Sequence, residues 1–320
     1  MKIAITGANG FLGSHLIKSA QKDQHEVIAW IRKGADCQLL ASVEVVRAVI
    51  NYDTVKTLTD SIASSMAGQQ PYDCIIHNAG LTVSLSSQAY FDANYGLIQK
   101  LIDALKQRNI LSDGGKLVLI SSYAANGPDG FTAPVSHYGE SKKAAEVAVI
   151  ESGFDYLICR PTGIYGPGDL AFLPLFQAAS KGLFPILSPK DQQVTLIHAE
   201  DLANAIFTQI PEKNKTLHFS DGLVYNHQDL KKVLSLAVNR KLLTVQFPGF
   251  LAKVWLSFSD RVHALIERTP RVTLDKYNEI SKNWDLQKNR QLLHPKTKIK
   301  FGLQEGFKDT FDYYKKHNLL

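Results

Sequence analysis

The first thirteen residues restrict this chain more than any other stretch: Met1-Lys-Ile-Ala-Ile-Thr-Gly-Ala-Asn-Gly-Phe-Leu-Gly13. Ile3, Ala4 and Ile5 form a short apolar run that ends at Thr6-Gly7, and Phe11, Leu12, Leu16 and Ile17 follow at helical spacing. A buried strand, a tight glycine turn and a helix are predicted. Gly7, Gly10 and Gly13 stand three apart. That spacing permits positive φ in the turn, close approach of backbone to a ligand, and tight packing of helix on strand. Amides left free at the helix start point at an anion, and a pyrophosphate suits them.

The second predicted strand, His25 to Ile31, runs directly into Arg32 and Lys33. In a dinucleotide site a carboxylate near this point accepts from ribose hydroxyls, whereas a basic side chain suits a 2′-phosphate. The cations therefore favour NADP over NAD. Further strands are expected at Val43 to Ile50, Asp73 to Gly80, Lys116 to Ile120 and Phe154 to Arg160. Helices are expected at Val55 to Met66, Ala89 to Arg108 and Ser136 to Ser152. This alternation is the pattern of a doubly wound parallel sheet with a ligand crevice at the carboxyl ends of its strands.

Within the last of those helices Tyr138 and Lys142 are four residues apart, hence on one face. A phenol ordinarily loses its proton near pH ~10. A neighbouring ammonium is expected to bring that value down and make the phenol an acid-base group. Ser122, at the tip of the preceding strand, can hydrogen-bond to a substrate oxygen beside it.

Five motifs in order, Thr6-Gly-Ala-Asn-Gly-Phe-Leu-Gly13, His77-Asn-Ala-Gly80, Ser121-Ser122, Tyr138-Gly-Glu-Ser-Lys142 and Arg160-Pro-Thr-Gly-Ile-Tyr-Gly-Pro-Gly168, span roughly the first half of the chain. Together they resemble the extended short-chain dehydrogenase/reductase family, also called the NAD-dependent epimerase/dehydratase family. The basic residue after the second strand is most similar to its NADP-using, dihydroflavonol-reductase-type branch. The resemblance implies a Rossmann-type α/β fold, a doubly wound parallel sheet with a smaller mixed α/β C-terminal substrate domain. Residues 1–166 with about 190–215 would bind NADP, and 167–189 with about 216–320 would bind substrate.

Carried over by position, the resemblance implies that Gly7, Asn9, Gly10, Phe11, Leu12 and Gly13 hold the cofactor's pyrophosphate side, with Arg32 and Lys33 at the adenosine ribose. His77, Asn78 and Ala79 would line the crevice, and Pro161 and Ile164 would back the nicotinamide. Tyr138 would donate or accept the proton, Ser122 would orient the reacting oxygen, and Lys142 would bind the nicotinamide ribose, supported by Asn94. The implied activity is hydride transfer between NADPH and a carbonyl or secondary alcohol. The rival readings are a nucleotide-sugar epimerase or dehydratase with bound NAD, and a catalytically silent dinucleotide sensor. Two departures from the family pattern stand out. The third strand ends Ala48-Val49-Ile50 without the usual aspartate, Asp53 being a poor substitute, and Gly163 stands where nucleotide-sugar enzymes carry a diphosphate-binding asparagine.

With 45% hydrophobic and 21% charged residues in 320, the chain can bury a full core. Cys37, Cys74 and Cys159 have no paired spacing, which argues against a disulfide framework and a zinc site and for a reduced, cytoplasmic setting. No signal peptide and no transmembrane segment are expected. The formal charge of +6 is scattered until the basic segment Lys282 to Lys300 and reads as solvated surface, so no nucleic-acid partner is expected. A homodimer through the long fourth and fifth helices is implied by the resemblance. His198 reads as a structural hydrogen-bonder. Phe250 to Ile266 carries a broad apolar stripe, readable as a lid over a hydrophobic substrate, a membrane contact, or core packing; packing against the sheet or a dimer partner is favoured. The tail, with Phe307, Phe311 and Tyr314 at helical spacing, should dock.

Overall fold

The computed structural model describes residues 1–66, 70–128, 132–266, 268–270, 272–285 and 298–320. Its centre is a seven-stranded parallel sheet built from β1 (Lys2–Thr6), β2 (Glu26–Ile31), β3 (Val46–Val49), β4 (Tyr72–His77), β5 (Leu111–Ile120), β6 (Asp155–Pro161) and, from later in the chain, β11 (Lys215–Phe219). The spatial order is β11-β6-β5-β4-β1-β2-β3. The chain therefore winds outward from β1 on one side, then returns to lay β4 against its other side. At that reversal the connections leave in opposite directions and open a crevice at the carboxyl ends. Register brings Thr6 beside His77 and His77 beside Leu119, so the loops that follow β1, β4 and β5 begin at one level.

Strand side chains alternate between two cores. Ile3, Ile5, Val27, Ala29 and Ile76 face α1 (Phe11–Lys22) and α7 (Ala199–Gln209). Ala4, Ile28, Trp30, Ile75 and Leu117 face α2 (Val55–Met66), α4 (Leu97–Gln107) and α5 (His137–Ile150). Each fully buried Ile or Leu contributes about 1.5–3 kcal/mol relative to exposure. Covering of both faces explains why the strands read as nearly continuous apolar runs.

The helix expected from Ala89 to Arg108 is interrupted. A short helix α3 (Ser87–Phe91) passes through a π-helical turn at Asp92–Gly96 into α4. The wider turn carries Asn94, which is buried. α5 begins at Ser136, whose Oγ accepts from the Gly139 amide at 3.1 Å.

A second core forms from α6 (Leu173–Ser180), α8 (His227–Val238) and α11 (Leu303–Lys316), joined by the short strands β7 (Gly163–Tyr165), β8 (Leu183–Ile186), β9 (Gln193–Val194), β10 (Leu196–His198), β12 (Tyr225–Asn226) and β13 (Leu243–Gln246). The tail docks as its pattern indicates, with Phe307 and Tyr314 fully buried. β11 rejoins the main sheet beside β6 just past the expected boundary at about 215. α9 (Gly249–Leu265) and α10 (Leu274–Ile280) form a small outlying unit in which Ala252, Leu256 and Tyr277 are buried. The apolar stripe on α9 does not pack into the protein's core. Phe250, Val254, Trp255 and Phe258 are each about two-thirds exposed, at 68%, 67%, 66% and 67%. Of the basic segment Lys282 to Lys300, residues 286–297 lie outside the described residues.

Candidate active site

The glycine turn has the geometry its spacing indicates. Gly7 takes φ of +61°, and a Cβ there would stand 2.8 Å from Cα of Ala79. A Cβ on Gly13 would collide with the Gly7 carbonyl oxygen. Gly10 caps α1 with no side chain satisfying the helix amides, so the first turn presents unfilled donors at the crevice. Phe11 and Asn9 are half-buried beside it and Leu12 is buried. Asn9 donates to the Asp36 carbonyl at 2.7 Å, tying the turn to the loop after β2. In that loop Arg32 and Lys33 are exposed. These features fit a dinucleotide pyrophosphate: backbone donors without competing side chains, and a surface where a Cβ has no room.

Thr6 locks the neighbouring loop. Its Oγ1 accepts from the amides of Asn78 at 3.1 Å and Ala79 at 3.0 Å and bonds Nδ1 of His77 at 3.1 Å. Asn78 Nδ2 in turn donates to the Gly7 carbonyl at 3.1 Å. His77 itself is buried behind the turn, and burial together with the Lys142 charge pushes its pKa down to about 3, so the ring is neutral. Pro161 is buried at the end of β6, and Ile164 packs on the sheet core. A Cβ on Gly163 would lie 2.8 Å from Leu196 Cδ2, across the β7–β10 pairing.

Ser122, Tyr138, Lys142 and Asn94 converge past β4 and β5. A Cβ on Gly139 would stand 2.6 Å from the Ala124 carbonyl. This close approach presses the start of α5 onto the turn after β5, and the Ser122 hydroxyl hydrogen-bonds the Tyr138 phenol. Lys142 is buried and donates to the Ile120 carbonyl at 3.0 Å. Burial lowers its pKa to about 8, opposed by the carboxylate of Glu146. Asn94 bridges three segments: its Oδ1 accepts from the Leu81 amide at 2.8 Å, and Nδ2 donates to the Leu81 carbonyl at 3.0 Å and to Ser141 Oγ at 2.9 Å. Gly80 makes room for this bridge, since a Cβ there would lie 2.6 Å from Asn94 Oδ1 and 3.2 Å from Lys142 Nζ.

The expectation that Lys142 lowers the Tyr138 pKa is corrected. The phenol is raised, chiefly by burial and then by the Glu279 carboxylate, with the Ser122 hydrogen bond opposing. The ammonium is turned to the Ile120 carbonyl, and the phenol lies under a cover that spacing along the chain did not reveal. Lys276 of α10 places its ammonium 5.4 Å from the Tyr138 ring centroid and pairs with Glu279 at 2.5 Å. Tyr90, Leu81 and Trp284 pack around Tyr138 to form an apolar wall. Nearby, Pro128, Thr132, Pro134, Val135, Lys282 and Asn283 line an open cleft.

A buried ion pair, also missed from sequence, supports the floor. Glu146 accepts from Arg160 at 2.6 and 2.8 Å and from Ser121 Oγ at 2.6 Å, joining α5, β6 and the end of β5. Glu146 lies one turn beyond Lys142 on the same face, a spacing that could have flagged it. His198, in contrast, is a helix cap: its Nδ1 accepts from the Glu200 amide at 3.3 Å and its ring stacks on Phe301 at 4.0 Å.

Residues 3–226, which carry the sheet together with Asn94, Ser122, Tyr138 and Lys142, match the NAD dependent epimerase/dehydratase family. The chain belongs to that family. Among curated family relatives it is similar to a ceramide reductase of Caulobacter vibrioides, 28% identical over 98% of this chain and 94% of the relative. It is also similar to a UDP-glucose 4-epimerase of Vibrio cholerae, 24% identical over 96% and 94% respectively. The fold matches a solved UDP-glucuronic acid 4-epimerase of Bacillus cereus in complex with NAD, with a TM-score of 0.71, 18% identity and 99% of each chain covered. An NAD(P) dinucleotide is the cofactor expected of this family. Among the described residues, no helix is long and apolar enough to cross a membrane.

Proposed function

We propose that this family member is an NADP-dependent reductase that acts on the carbonyl of an apolar, lipid-like substrate. The observation that carries the reading is the cluster itself. A protonated, buried phenol bonded to Ser122 stands beside an apolar wall, with a buried lysine on the same helix face. Arg32 and Lys33 at the end of β2 support NADP, because they offer charge to a 2′-phosphate where a carboxylate would repel it. The relationship to a ceramide reductase supports an apolar substrate.

The glycine turn and the α1 amides would hold the pyrophosphate, and Pro161 and Ile164 would border the nicotinamide, which supplies hydride transfer when bound. Tyr138 would give its proton to the carbonyl oxygen as that oxygen gains charge, while Ser122 orients the same atom. Lys142, its pKa lowered to about 8, remains an ammonium at neutral pH and would bind the nicotinamide ribose. The secondary alcohol is the product, and the reverse oxidation uses the same groups. Asn94 fixes the Leu81 loop against α5 and so positions the lysine. Apolar Val147 and Ile150, exposed on α5, support the expected homodimer.

The kinship to a UDP-glucose 4-epimerase favours a second reading, interconversion of a nucleotide-linked sugar with bound NAD. NADPH consumption over a panel of long-chain keto-lipids, aromatic ketones and nucleotide sugars separates the two. The expected result is turnover with an apolar ketone, reduced about 10²–10⁴-fold in Tyr138→Phe while NADPH binding persists. Protein purified with NAD that interconverts a nucleotide sugar without net NADPH use would overturn the reductase reading. NADPH binding with no activity lost in Tyr138→Phe would leave a dinucleotide sensor.

A further inference from the structure

We propose that α9 is an in-plane amphipathic helix that seats the protein on an anionic lipid surface. On one side of α9, Ala252 and Leu256 dock onto Tyr277, Leu187, Val272 and Leu274. On the opposite arc Phe250, Leu251, Val254, Trp255, Phe258 and Leu265 are all exposed, Leu265 at 84%. Phe247 just before the helix and Ile266 just after it are exposed as well. Contiguous apolar surface of this kind marks an interaction site rather than ordinary exposure. Its helical spacing and its exposed tryptophan are features of helices that lie at the headgroup boundary.

Charge selects the occupant. Lys253 and Arg261 are exposed along one edge of the stripe, and Arg240, Lys241 and Arg268 are exposed in the flanking segments. The helix has a single acidic residue, Asp260, and its Oδ2 is engaged by the Leu274 amide at 2.8 Å. A second copy meeting this face about a two-fold axis would bring like charges together. Acidic headgroups complement them, each cation near such a surface adding attraction.

The surface is linked to the catalytic helix. Asp260 holds the start of α10, and from α10 Asp275 accepts from the His137 amide at 3.0 Å and Glu279 from Ser136 Oγ at 3.3 Å. Lys276 of the same helix lies over Tyr138. If the reductase reading above holds, a bilayer under α9 is connected through α10 to the helix that carries Tyr138. The docking itself does not depend on that reading.

The test uses the full chain without substrate, so its failure leaves the reductase reading untouched. Protein is floated with vesicles of phosphatidylcholine alone or mixed with phosphatidylglycerol, and tryptophan emission is recorded. Co-flotation with the mixed vesicles and a blue shift are expected, with weak binding to phosphatidylcholine alone. Because Trp255 and Phe258 are exposed, Trp255→Ser/Phe258→Ser should fold and bind NADPH normally yet lose flotation and the shift. Lys253→Glu/Arg261→Glu keeps the stripe and should lower binding to anionic vesicles by about tenfold or more. Absence of flotation, or binding unchanged in both variants, overturns the proposal. So does a dimer in light scattering that Trp255→Ser/Phe258→Ser converts to monomer while vesicles stay unbound.

Discussion

Lys142 offers a direct measure of how dry the centre of this site is. Its ammonium is buried, donates to a single carbonyl, and has a pKa lowered from 10.5 to about 8 by burial. The folded value lies below the unfolded one, so between the two the unfolded chain holds the extra proton, and stability rises with pH across that window. The integrated linkage from about pH 7 to about pH 9.5 is about 2 kcal/mol. Other groups titrate in the same range. Burial raises the Cys74 and Cys159 thiols, which lowers stability as pH increases. Those contributions are shared by wild type and Lys142→Met and cancel in their difference. Urea unfolding of both proteins at the two pH values should therefore show wild type gaining about 2 kcal/mol on the variant as pH rises. A change below about 0.5 kcal/mol would mean that water reaches the ammonium, and the dry-site reasoning would fail. A change of opposite sign would mean that a carboxylate governs the site more strongly than burial does.

Two further outcomes follow from the geometry. Arg32→Ala/Lys33→Ala should weaken NADPH relative to NADH by about tenfold or more, from loss of charge-assisted contacts, as read by titrating both cofactors. Gly80→Ala places a methyl 2.6 Å from Asn94 Oδ1 and 3.2 Å from Lys142 Nζ; thermal unfolding should show a loss of about 1–3 kcal/mol, together with a lower kcat.

Much of the candidate site's placement was legible because it rides on local spacing. The glycine triplet needs only a strand-turn-helix to face one anion, and Tyr138 and Lys142 need only one helical turn to share a face. Gly80 shows the limit of such reading. In the sequence it is only the last residue of the His77-Asn-Ala-Gly80 motif, whereas the structure shows that its missing side chain makes room for Asn94 and Lys142. The π-helical turn that aims Asn94 at Leu81 and Ser141 left no mark in the apolar periodicity of that segment. The Glu146–Arg160 pair joins residues on different elements, and only the register of α5 against β6 brings them together.

The sequence by itself determined the order of strands and helices, the crevice at the end of β1, and the residue types available for binding and proton transfer. Those follow from backbone sterics and short-range periodicity. Tertiary structure alone decided that α10 covers Tyr138 and raises its pKa, and that the stripe on α9 faces outward. Periodicity defines an apolar face without naming what lies against it, and the field at a buried phenol depends on neighbours more than a hundred residues away, such as Glu279.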